Sequence, residues 1–375
     1  TMSAVEVCRA FGAKIEQNGN RFTVYGFGGM PAIPQDVINV GNSGTTLRFA
    51  VMVAGLVNGY SVLTGDYQIR RRPLAPLIQA ANNLGAKVFT TRDNGCAPVV
   101  VRGVLRGGKT ELDAVTSQYL SSLLITCPLL AEDTEIVLTR LNEVPYVEIT
   151  MDWLNKQGIV YENDKFKTFR IKGRQSYKPM EYSISGDFSS ATFFMVLAAI
   201  SNSEITLHNL DMNDSQGDKA VLSILESMGL NVSYGNGKIT LKGGKLKGRD
   251  IDMNAIPDAL PAMAVAGCFA EGETRLLNVP QARLKETDRI AVMCRELKKM
   301  GADIEELDDG LVIRKSNLKG TSVEGHDDHR VVMALAVAGL NIDGETVIDT
   351  AEAANVTFPQ FTELINSCGG NIELF

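Results

Sequence analysis

The sequence has few of the residues that bind metals, form disulfide frameworks or cross membranes. It contains three histidines among 375 residues, and its six cysteines lie far apart without a CxxC pair. Thiols scattered in this way are typical of reduced, buried cysteines, and no spacing indicates a metal site. No apolar run reaches the ~18 residues of a membrane helix, and no signal peptide is recognisable. We therefore expect a cytoplasmic protein that uses no metal and no cofactor.

An excess of positive charge is also absent. The formal net charge of −7 argues against binding to nucleic acid or to a membrane surface, both of which favour a basic face. Local arginine clusters can still attract small anions on an acidic protein. With 45% hydrophobic and 22% charged residues, the composition is that of a globular protein long enough for two domains.

What the sequence does contain is a phrase that occurs six times. Each copy follows an amphipathic stretch, has a glycine at its second position and leads into alternating residues typical of a strand. Six glycines spaced by about 70 residues indicate repeated supersecondary units. The copies are FGAKIE (11–16), LGAKVF (84–89), QGIVYE (157–162), MGLNVS (228–233), MGADIE (300–305) and CGGNIE (368–373).

One copy shows how such a unit folds. Leu222 and Leu225 lie on one helical stripe, and Gly229 can take the left-handed conformation that ends a helix. Alternating residues on both sides of a Gly-Asn-Gly turn then predict a hairpin. The same helix–glycine–hairpin pattern fits residues 75–102 and 290–314. The fold class is therefore α/β, built from repeats.

The position of the copies predicts the domain organisation. Three copies precede residue 184 and three follow it, so we expect two similar domains, 1–184 and 185–375. The first repeat glycine, Gly12, comes so early that its unit lacks roughly fifty residues at the spacing of the others. We therefore expect an absent N-terminal segment, either truncated or supplied as a separate partner polypeptide.

Two motifs in the first half could bind anions. The stretch VGNSGTTLRF (40–49) predicts a strand, a glycine-rich turn and a helix whose backbone N–H groups could face an anion; a plain tight turn explains it equally well. In GDYQIRRRP (65–73), strand geometry would point Arg70 and Arg72 to the same side. Two such guanidiniums would suit a carboxylate or a phosphate, whereas a solvated basic face is the ordinary interpretation.

Several polar helix starts form a second group of candidates. TSQYLSSLL (116–124) and SGDFSSATFF (185–194) are ordinary N-caps by themselves, although their hydroxyls and amides would also suit a phosphorylated polyol. Asp258 precedes a wholly apolar helix, as a cap or dipole partner would. LKETDRI (284–290) resembles an exposed charged helix start. The i,i+3 histidines of HDDHR (326–330) are compatible with a metal, but nothing else in the sequence requires one.

Together and in this order, these motifs resemble the 5-enolpyruvylshikimate-3-phosphate (EPSP) synthase family along nearly the whole chain. The resemblance implies a two-domain inside-out α/β barrel with three βαβαββ units per domain, which agrees with the repeat count. The pair LKETDR and DDHR is the most specific part. The matching stretches are GNSGTTLR, RRRP, TSQYL, PYVEIT, GDFSSA, PDA, LKETDR, DDHR and TFPQF.

The resemblance implies an enolpyruvyl transfer from phosphoenolpyruvate to the 5-hydroxyl of shikimate 3-phosphate, with release of phosphate. Such chemistry needs proton-transfer groups and cations that hold two polyanions together. The implied proton-transfer residues are Asp258, Glu286 and His329. The implied phosphoenolpyruvate contacts are Asn42, Gly44, Thr45, Arg72, Gln118, Arg289 and Arg330. The implied shikimate 3-phosphate contacts are Thr116, Ser117, Gln118, Tyr146, Ser189 and Asp258.

The chain also departs from the family pattern. The early Lys-Ser…Arg motif has no counterpart, and Glu143 replaces a serine that contacts the substrate phosphate in many members. Because a glutamate facing that phosphate would repel it, we expect Glu143 to point away or to contact another group. Val356 replaces a late lysine and Phe49 a proline. The family is the target of glyphosate, and sensitivity is associated with the small residue at Gly44, so inhibition of this chain stays open.

Two other functions are compatible with the same features. The sister transferase that acts on UDP-N-acetylglucosamine shares the repeats, but it uses a cysteine on a basic, glycine-rich loop. Cys96 is the only cysteine of this sequence that we predict to lie in a loop, and no basic, glycine-rich segment surrounds it. The third possibility is a non-catalytic or split-protein fragment that binds phosphorylated ligands or a partner chain through exposed apolar surface.

Overall fold

A computed structural model describes residues 2–201, 203–235 and 237–375. The described chain forms two compact units, one reaching Glu181 and the other spanning Tyr182–Phe375. Each unit has its own hydrophobic core. The domain assignment of 1–184 and 185–375 stays a prediction.

The first unit contains five α-helices and ten strands among its described residues. The helices are α1 (Met2–Ala10), α2 (Gly44–Ala54), α3 (Ala75–Asn83), α4 (Ser117–Thr126) and α5 (Val144–Lys156). The strands are β1 (Lys14–Asn18), β2 (Arg21–Tyr25), β3 (Ile38–Asn39), β4 (Tyr60–Thr64), β5 (Lys87–Thr90), β6 (Val99–Arg102), β7 (Gly108–Ala114), β8 (Thr134–Leu141), β9 (Tyr161–Asp164) and β10 (Thr168–Ile171). Short 3-10 helices cover Ile69–Arg71 and Cys127–Leu129.

The second unit contains six α-helices and nine strands among its described residues. The helices are α6 (Phe188–Ile200), α7 (Ala220–Met228), α8 (Leu260–Phe269), α9 (Arg289–Lys299), α10 (His329–Gly339) and α11 (Phe361–Ser367). The strands are β11 (Glu204–His208), β12 (Asn231–Gly235), β13 (Lys238–Lys242), β14 (Asp250–Asp252), β15 (Glu273–Leu277), β16 (Asp303–Leu307), β17 (Gly310–Arg314), β18 (Ser322–Glu324) and β19 (Val347–Asp349). Short 3-10 helices cover Gly217–Lys219, Pro257–Ala259, Pro280–Leu284 and Ala351–Val356.

Three stretches of the chain form complete βαβαββ units with one shared sheet topology. Their strand orders are β3-β4-β6-β5, β7-β8-β10-β9 and β14-β15-β17-β16. In each sheet the first two strands are parallel and the hairpin adds two antiparallel neighbours. The remaining described sheets are the hairpin β1-β2, the three-stranded β11-β13-β12 and the parallel pair β18-β19.

The six repeat glycines occupy equivalent positions. Each follows the second helix of its unit and has a positive φ, from 70° at Gly158 to 127° at Gly229. A side chain would strain this conformation, so glycine at the phrase's second position ends the helix and turns the chain into the hairpin. The predicted stripe is buried as well: Leu222 and Leu225 are fully buried, which stabilises the unit by about 1.5–3 kcal/mol for each. The predicted repeat is confirmed.

The first helix of each βαβαββ repeat is buried more deeply than the second helix of that repeat. In α8 nine of the ten residues are buried and in α6 eight of the thirteen, and these two helices pack on each other and on α10. In the first unit α2 packs on α4. A helix that is apolar on all sides must lie in a core, so its polar residues are confined to its ends. The functional motifs lie there.

No helix in the described part of the chain combines the length and the apolar composition that a bilayer crossing requires.

Candidate active site

The candidate residues of the first unit begin at the N-terminus of α2. The hydroxyl of Ser43 accepts a hydrogen bond from Thr46 N at 3.2 Å and so caps the helix, while Gly41 turns the chain with φ = 60°. The side-chain amide of Asn42 donates to Asp66 Oδ2 at 2.6 Å and to Gln68. Asn42 therefore ties the glycine-rich turn to the arginine-containing segment that follows β4. Thr45 is exposed at the same helix end.

Gly44, the first residue of α2, leaves room for two guanidiniums. A Cβ atom at this position would lie 2.7 Å from Arg48 Nη1 and closer still to Arg72 Nη1. The φ of Gly44 is not positive, so a side chain here would not strain the backbone and would instead displace these two side-chain ends. Arg48 and Arg72 are both almost fully buried, with 4% and 8% of their surface exposed.

The expected strand around the three arginines is wrong. Ile69–Arg71 form a 3-10 turn, which Asp66 starts by accepting a hydrogen bond from Ile69 N. Arg70 and Arg71 consequently lie exposed, and Arg72 turns inward with extended backbone. The second guanidinium beside Arg72 comes from Arg48 instead, one helical turn after Gly44.

Arg48 joins the starts of α2 and α4. Its Nη1 donates to Gln118 Oε1 at 2.7 Å, and its guanidinium lies over the ring of Tyr119 at 5.5 Å. Burial lowers the pKa of Arg48, and the like charge of Arg72 lowers it further. Nε of Arg48 is buried without a hydrogen-bond partner among the described residues. This corner of the first unit thus carries positive charge that its surroundings only partly offset.

At the N-terminus of α4, Glu143 contacts another group, which is one of the two outcomes that we expected. Its carboxylate points at Thr116 and Ser117, the residues that the family resemblance assigns to substrate. Glu143 Oε2 accepts from Ser117 N at 3.0 Å, from Ser117 Oγ at 2.8 Å and from Thr116 Oγ1 at 3.1 Å. Only 1% of the residue is exposed, and its φ of 59° is uncommon for a side-chain-bearing residue. A carboxylate of the chain itself therefore occupies this anion-binding helix end.

The candidate residues of the second unit converge on Arg289, the first residue of α9. Its Nε donates to Asp328 Oδ2 at 2.8 Å, its Nη1 to Asp258 Oδ1 at 2.9 Å and its Nη2 to Glu286 Oε2 at 2.6 Å. A further bond joins Nη2 to Asp328 Oδ1 at 3.2 Å. The side chain is 1% exposed, and these carboxylates raise its pKa despite the opposing effect of burial.

Asp258 links this network to two more cations. Arg330 Nη2 lies 3.1 Å from its Oδ2, and Lys285 Nζ lies 3.5 Å from its Oδ1. Burial alone would raise the pKa of Asp258, but Arg330, Lys285 and Arg289 hold it well below its usual range. Asp258 is therefore ionised at neutral pH.

The two histidines of HDDHR have different surroundings. His329 begins α10, is 5% exposed and lies 3.9 Å from Asp328. Burial lowers the pKa of His329 to about 4, so its imidazole is neutral at pH 7. His326 instead contacts Glu296, and the cluster Glu296, Glu324 and His326 is the one group of potential metal ligands found among residues 2–201, 203–235 and 237–375. The two histidines do not form a shared metal site.

Two further predicted substrate contacts lie in the first turns of α6 and α5. Ser189 is in the first turn of α6, where Asp187 accepts from the backbone N–H groups of Ser189 and Ser190. The Ser189 hydroxyl is buried without a hydrogen-bond partner among the described residues. Tyr146 lies half-buried in the first turn of α5, close in sequence to Glu143.

Some residues of the site were not among the candidates. Arg48 could have been identified from the sequence, because it follows Gly44 by four residues and therefore lies on the same face of the helix. Asp328 caps α10 through Arg330 N and binds Arg289, as its place before an apolar helix suggests. Lys285 is part of LKETDR. Glu296 looked like an ordinary charged helix residue beside Arg295 and Lys299, because the contacts that set it apart, with Glu324 and His326, come from a different segment of the chain.

Repeated α/β units with buried charged groups at their helix starts mark the chain as an α/β enzyme. A family model described as EPSP synthase (3-phosphoshikimate 1-carboxyvinyltransferase) matches residues 1–365. The chain belongs to this EPSP synthase family.

Relatives and solved structures agree with this membership. The chain is 67% identical to a 3-phosphoshikimate 1-carboxyvinyltransferase of Acetivibrio thermocellus over 371 residues, which cover 99% of this chain and 88% of the relative. It is 45% identical to one of Methanocella arvoryzae, covering 100% and 89%. An EPSP synthase structure from Acinetobacter baumannii superimposes with a TM-score of 0.83 at 29% identity, covering 99% of this chain and 88% of that one.

These findings confirm the predicted fold class, since the structural match is to an EPSP synthase. The chain covers 88% of that relative and of that solved structure, so the expectation of an absent or partner-supplied N-terminal segment stays a prediction. Cys96, considered for the sister transferase, lies in a turn where it pairs with Pro73 as an isolated bridge. Burial raises the pKa of its thiol.

Proposed function

We propose that the chain transfers the enolpyruvyl group of phosphoenolpyruvate to the 5-hydroxyl of shikimate 3-phosphate and releases inorganic phosphate. The observation that carries the proposal is the network in which Arg289 holds Asp258, Glu286 and Asp328 at the starts of three helices. Family membership supports the choice of substrates, because the relatives are named 3-phosphoshikimate 1-carboxyvinyltransferases.

The reaction requires two proton movements at different atoms. The 5-hydroxyl oxygen bonds to C2 of phosphoenolpyruvate and loses its proton to a base, while C3 takes up a proton. The C2–O bond to phosphate then breaks, phosphate leaves, and C3 gives up a proton to restore the double bond. The groups that serve these steps must be held near the reacting atoms in defined protonation states.

Asp258, Glu286 and His329 suit this task. Asp258 is ionised because of its cationic neighbours, and His329 is neutral because it is buried. Both are unprotonated at neutral pH, and the lowered pKa of each makes it a weak base that holds a proton only transiently. Glu286 is held 2.6 Å from Arg289. We propose that these three residues share the proton transfers.

Buried cations would bind phosphoenolpyruvate. Arg72, packed against Gly44 and beside Arg48, and Arg330, beside Asp258, suit the carboxylate and phosphate groups because guanidiniums bind both in a bidentate manner. In a buried site such fixed charges stabilise developing negative charge more strongly than water would. Asn42, Thr45, Gln118 and Arg289 complete the proposed set.

Thr116, Ser117, Gln118, Tyr146, Ser189 and Asp258 would bind shikimate 3-phosphate. The hydroxyls of Thr116 and Ser117 already donate hydrogen bonds to the carboxylate of Glu143, so phosphate binding at these donors depends on Glu143. A phosphate that uses those donors must displace the carboxylate, or it must bind through the remaining members of the set.

The test is a phosphate-release assay with shikimate 3-phosphate and phosphoenolpyruvate, combined with mass analysis of the product. We expect one phosphate released per enolpyruvyl adduct, and none when either substrate is omitted. The variant Asp258→Asn should lose at least about a hundredfold in kcat, as expected for a proton-transfer group. Its control is Asp250→Asn, which changes an exposed carboxylate of β14.

Two results would contradict the proposal. Turnover with UDP-N-acetylglucosamine but not with shikimate 3-phosphate would indicate the sister activity. Binding of both substrates in calorimetry without turnover would indicate a non-catalytic protein that binds phosphorylated ligands.

A further inference from the structure

A buried carboxylate outside the proposed chemistry lies on the same helix as Arg289. Glu296 follows Arg289 by seven residues in α9, which is about two helical turns, so the two side chains lie on one face. Glu296 is fully buried. A charge in such a place is retained only when it is well bound.

Two partners of Glu296 come from the last residue of β18 and from the loop that follows it towards α10. Its Oε2 accepts from Glu324 N at 3.0 Å, and its Oε1 lies 3.0 Å from Nε2 of His326. Lys299 Nζ at 2.6 Å and Arg295 Nε at 3.4 Å contribute positive charge from α9 itself. The carboxylate thus binds both the backbone and a side chain of the loop.

This loop has an unusual backbone. His326 and Asp327 both have φ near 54°, a conformation that residues with side chains seldom adopt, and here two adopt it in succession. Such a conformation persists only where the surrounding contacts hold it. The contacts that hold it are Glu296 with His326, Thr350 Oγ1 with Asp327 N, and Asp349 O with Gly325 N.

The loop ends at the residues that hold the charge network together. Asp328 follows directly, is fully buried, caps α10 and makes two hydrogen bonds to Arg289. His329 and Arg330 come next. The loop is therefore fastened to α9 at two points, by Glu296 on one side and by Arg289 on the other.

We propose that Glu296 and His326 are a positioning pair that sets where Asp328 and Arg330 stand relative to Arg289. The pair touches no reacting atom and acts through the loop conformation. The inference rests on the proposed function for its kinetic consequence, but its structural consequence is independent of it.

The same three groups, Glu296, Glu324 and His326, could be considered as metal ligands. Lys299 and Arg295 argue against this, because both already bind the Glu296 carboxylate and would repel a divalent cation. Positioning is therefore the interpretation that we test.

The principal variant is His326→Gly, which permits the positive φ but removes the contact with Glu296. We expect the KM for phosphoenolpyruvate to rise by about tenfold, the effect of losing one hydrogen bond to a charged group. The KM for shikimate 3-phosphate should stay within about twofold. Glu296→Gln, which keeps the shape and the acceptor for Glu324 N, should show a smaller change in the same direction, and His208→Gly in exposed β11 is the control.

Amide hydrogen exchange of the full chain gives a readout that does not need turnover. His326→Gly should speed exchange at Glu324 and Arg330 while leaving the core of α8 unchanged. If the wild type lacks transferase activity but this exchange changes, the proposed function fails and the positioning inference stands.

Three results would overturn the inference. One is unchanged exchange and unchanged kinetics in His326→Gly. Another is an equal rise of both KM values with a lower Tm, which indicates general loosening. The third is micromolar binding of Zn²⁺ to the wild type that His326→Gly abolishes, since the cluster would then be a metal site.

Discussion

The two units both bury arginine, but in opposite electrostatic surroundings. In the first unit Arg48 lies beside another arginine, an amide oxygen and an aromatic ring, and burial lowers its pKa. In the second unit Arg289 lies among three carboxylates, which raise its pKa. Both residues stand at polar ends of helices in similar α/β repeats.

The comparison shows that similar repeats can hold a buried arginine in two different electrostatic environments. In the first unit two guanidiniums lie side by side, and burial together with this like charge lowers the pKa of Arg48. In the second unit the charges balance each other, so the network is preorganised and holds Asp258 and Glu286 in place before any ligand arrives. The predictions below test this contrast.

The largest expected effect is on the stability of the second unit. Arg289→Met would leave the buried Asp328 and the partly buried Asp258 and Glu286 without their common partner, so the free energy of unfolding should fall by about 3–5 kcal/mol. Urea unfolding followed by circular dichroism measures it, with Arg249→Met, at an exposed arginine of the second unit, as the control. A loss below about 1 kcal/mol would mean that the carboxylates do not depend on Arg289.

The second prediction concerns pH. The pKa of His329 is ordinarily 6.5 and is about 4 in the folded chain. Between these two pH values the imidazole is protonated in the unfolded chain and neutral in the folded chain. Stability is therefore lost as pH falls from about 6.5 towards 4, by about 2 kcal/mol between pH 7.5 and 5. His329→Gln should remove this part of the slope, and His208→Gln should retain it. An unaltered slope in His329→Gln would show that the neighbouring carboxylates stabilise the charged imidazole.

The third prediction concerns the first unit. Gly44→Ala would push the guanidiniums of Arg48 and Arg72 apart without touching the backbone. Because those are flexible side-chain ends, stability should change by less than about 1 kcal/mol, whereas the KM for phosphoenolpyruvate should rise about tenfold. Gly26→Ala is the control, since a Cβ there has open space. If both variants had the same KM for phosphoenolpyruvate, the proposal that Arg48 and Arg72 lie at the phosphoenolpyruvate site would be wrong.

The smallest expected effect comes from Glu143. Glu143→Ser would release the donors of Thr116 and Ser117 and remove a negative charge beside them. We expect the KM for shikimate 3-phosphate to fall by about fivefold, which corresponds to about 1 kcal/mol. Glu148→Ser, at an exposed position of α5, is the matched control. A higher KM in Glu143→Ser would mean that the carboxylate supports substrate binding.

The repeat and the helix starts could be predicted from the sequence because both depend on local rules. A glycine after an amphipathic stretch ends a helix, and Asp187, Asp288 and Asp328 cap the helices before which they stand. These signals involve residues a few positions apart, so a single sequence contains them.

One missed feature was local: Asp66 accepts a hydrogen bond from Ile69 N, three residues later, and so starts the 3-10 turn that moves Arg70 and Arg71 to the surface. Other details depend on contacts between distant segments. Glu143 was expected to point away from a phosphate or to contact another group, and the group that it contacts, the start of α4, lies 26 residues earlier in the chain. Glu296 meets its partners 28 and 30 residues later in the chain.

The burial of the first helix in each unit has a consequence for how such a protein can change. A helix packed on every side tolerates few substitutions along its length, whereas the capping residue before it can lie outside that packing, as the exposed Asp187 before α6 does. Mutation can therefore alter which anion is bound by exchanging one or two residues just before a helix, while the architecture that holds them is inherited intact.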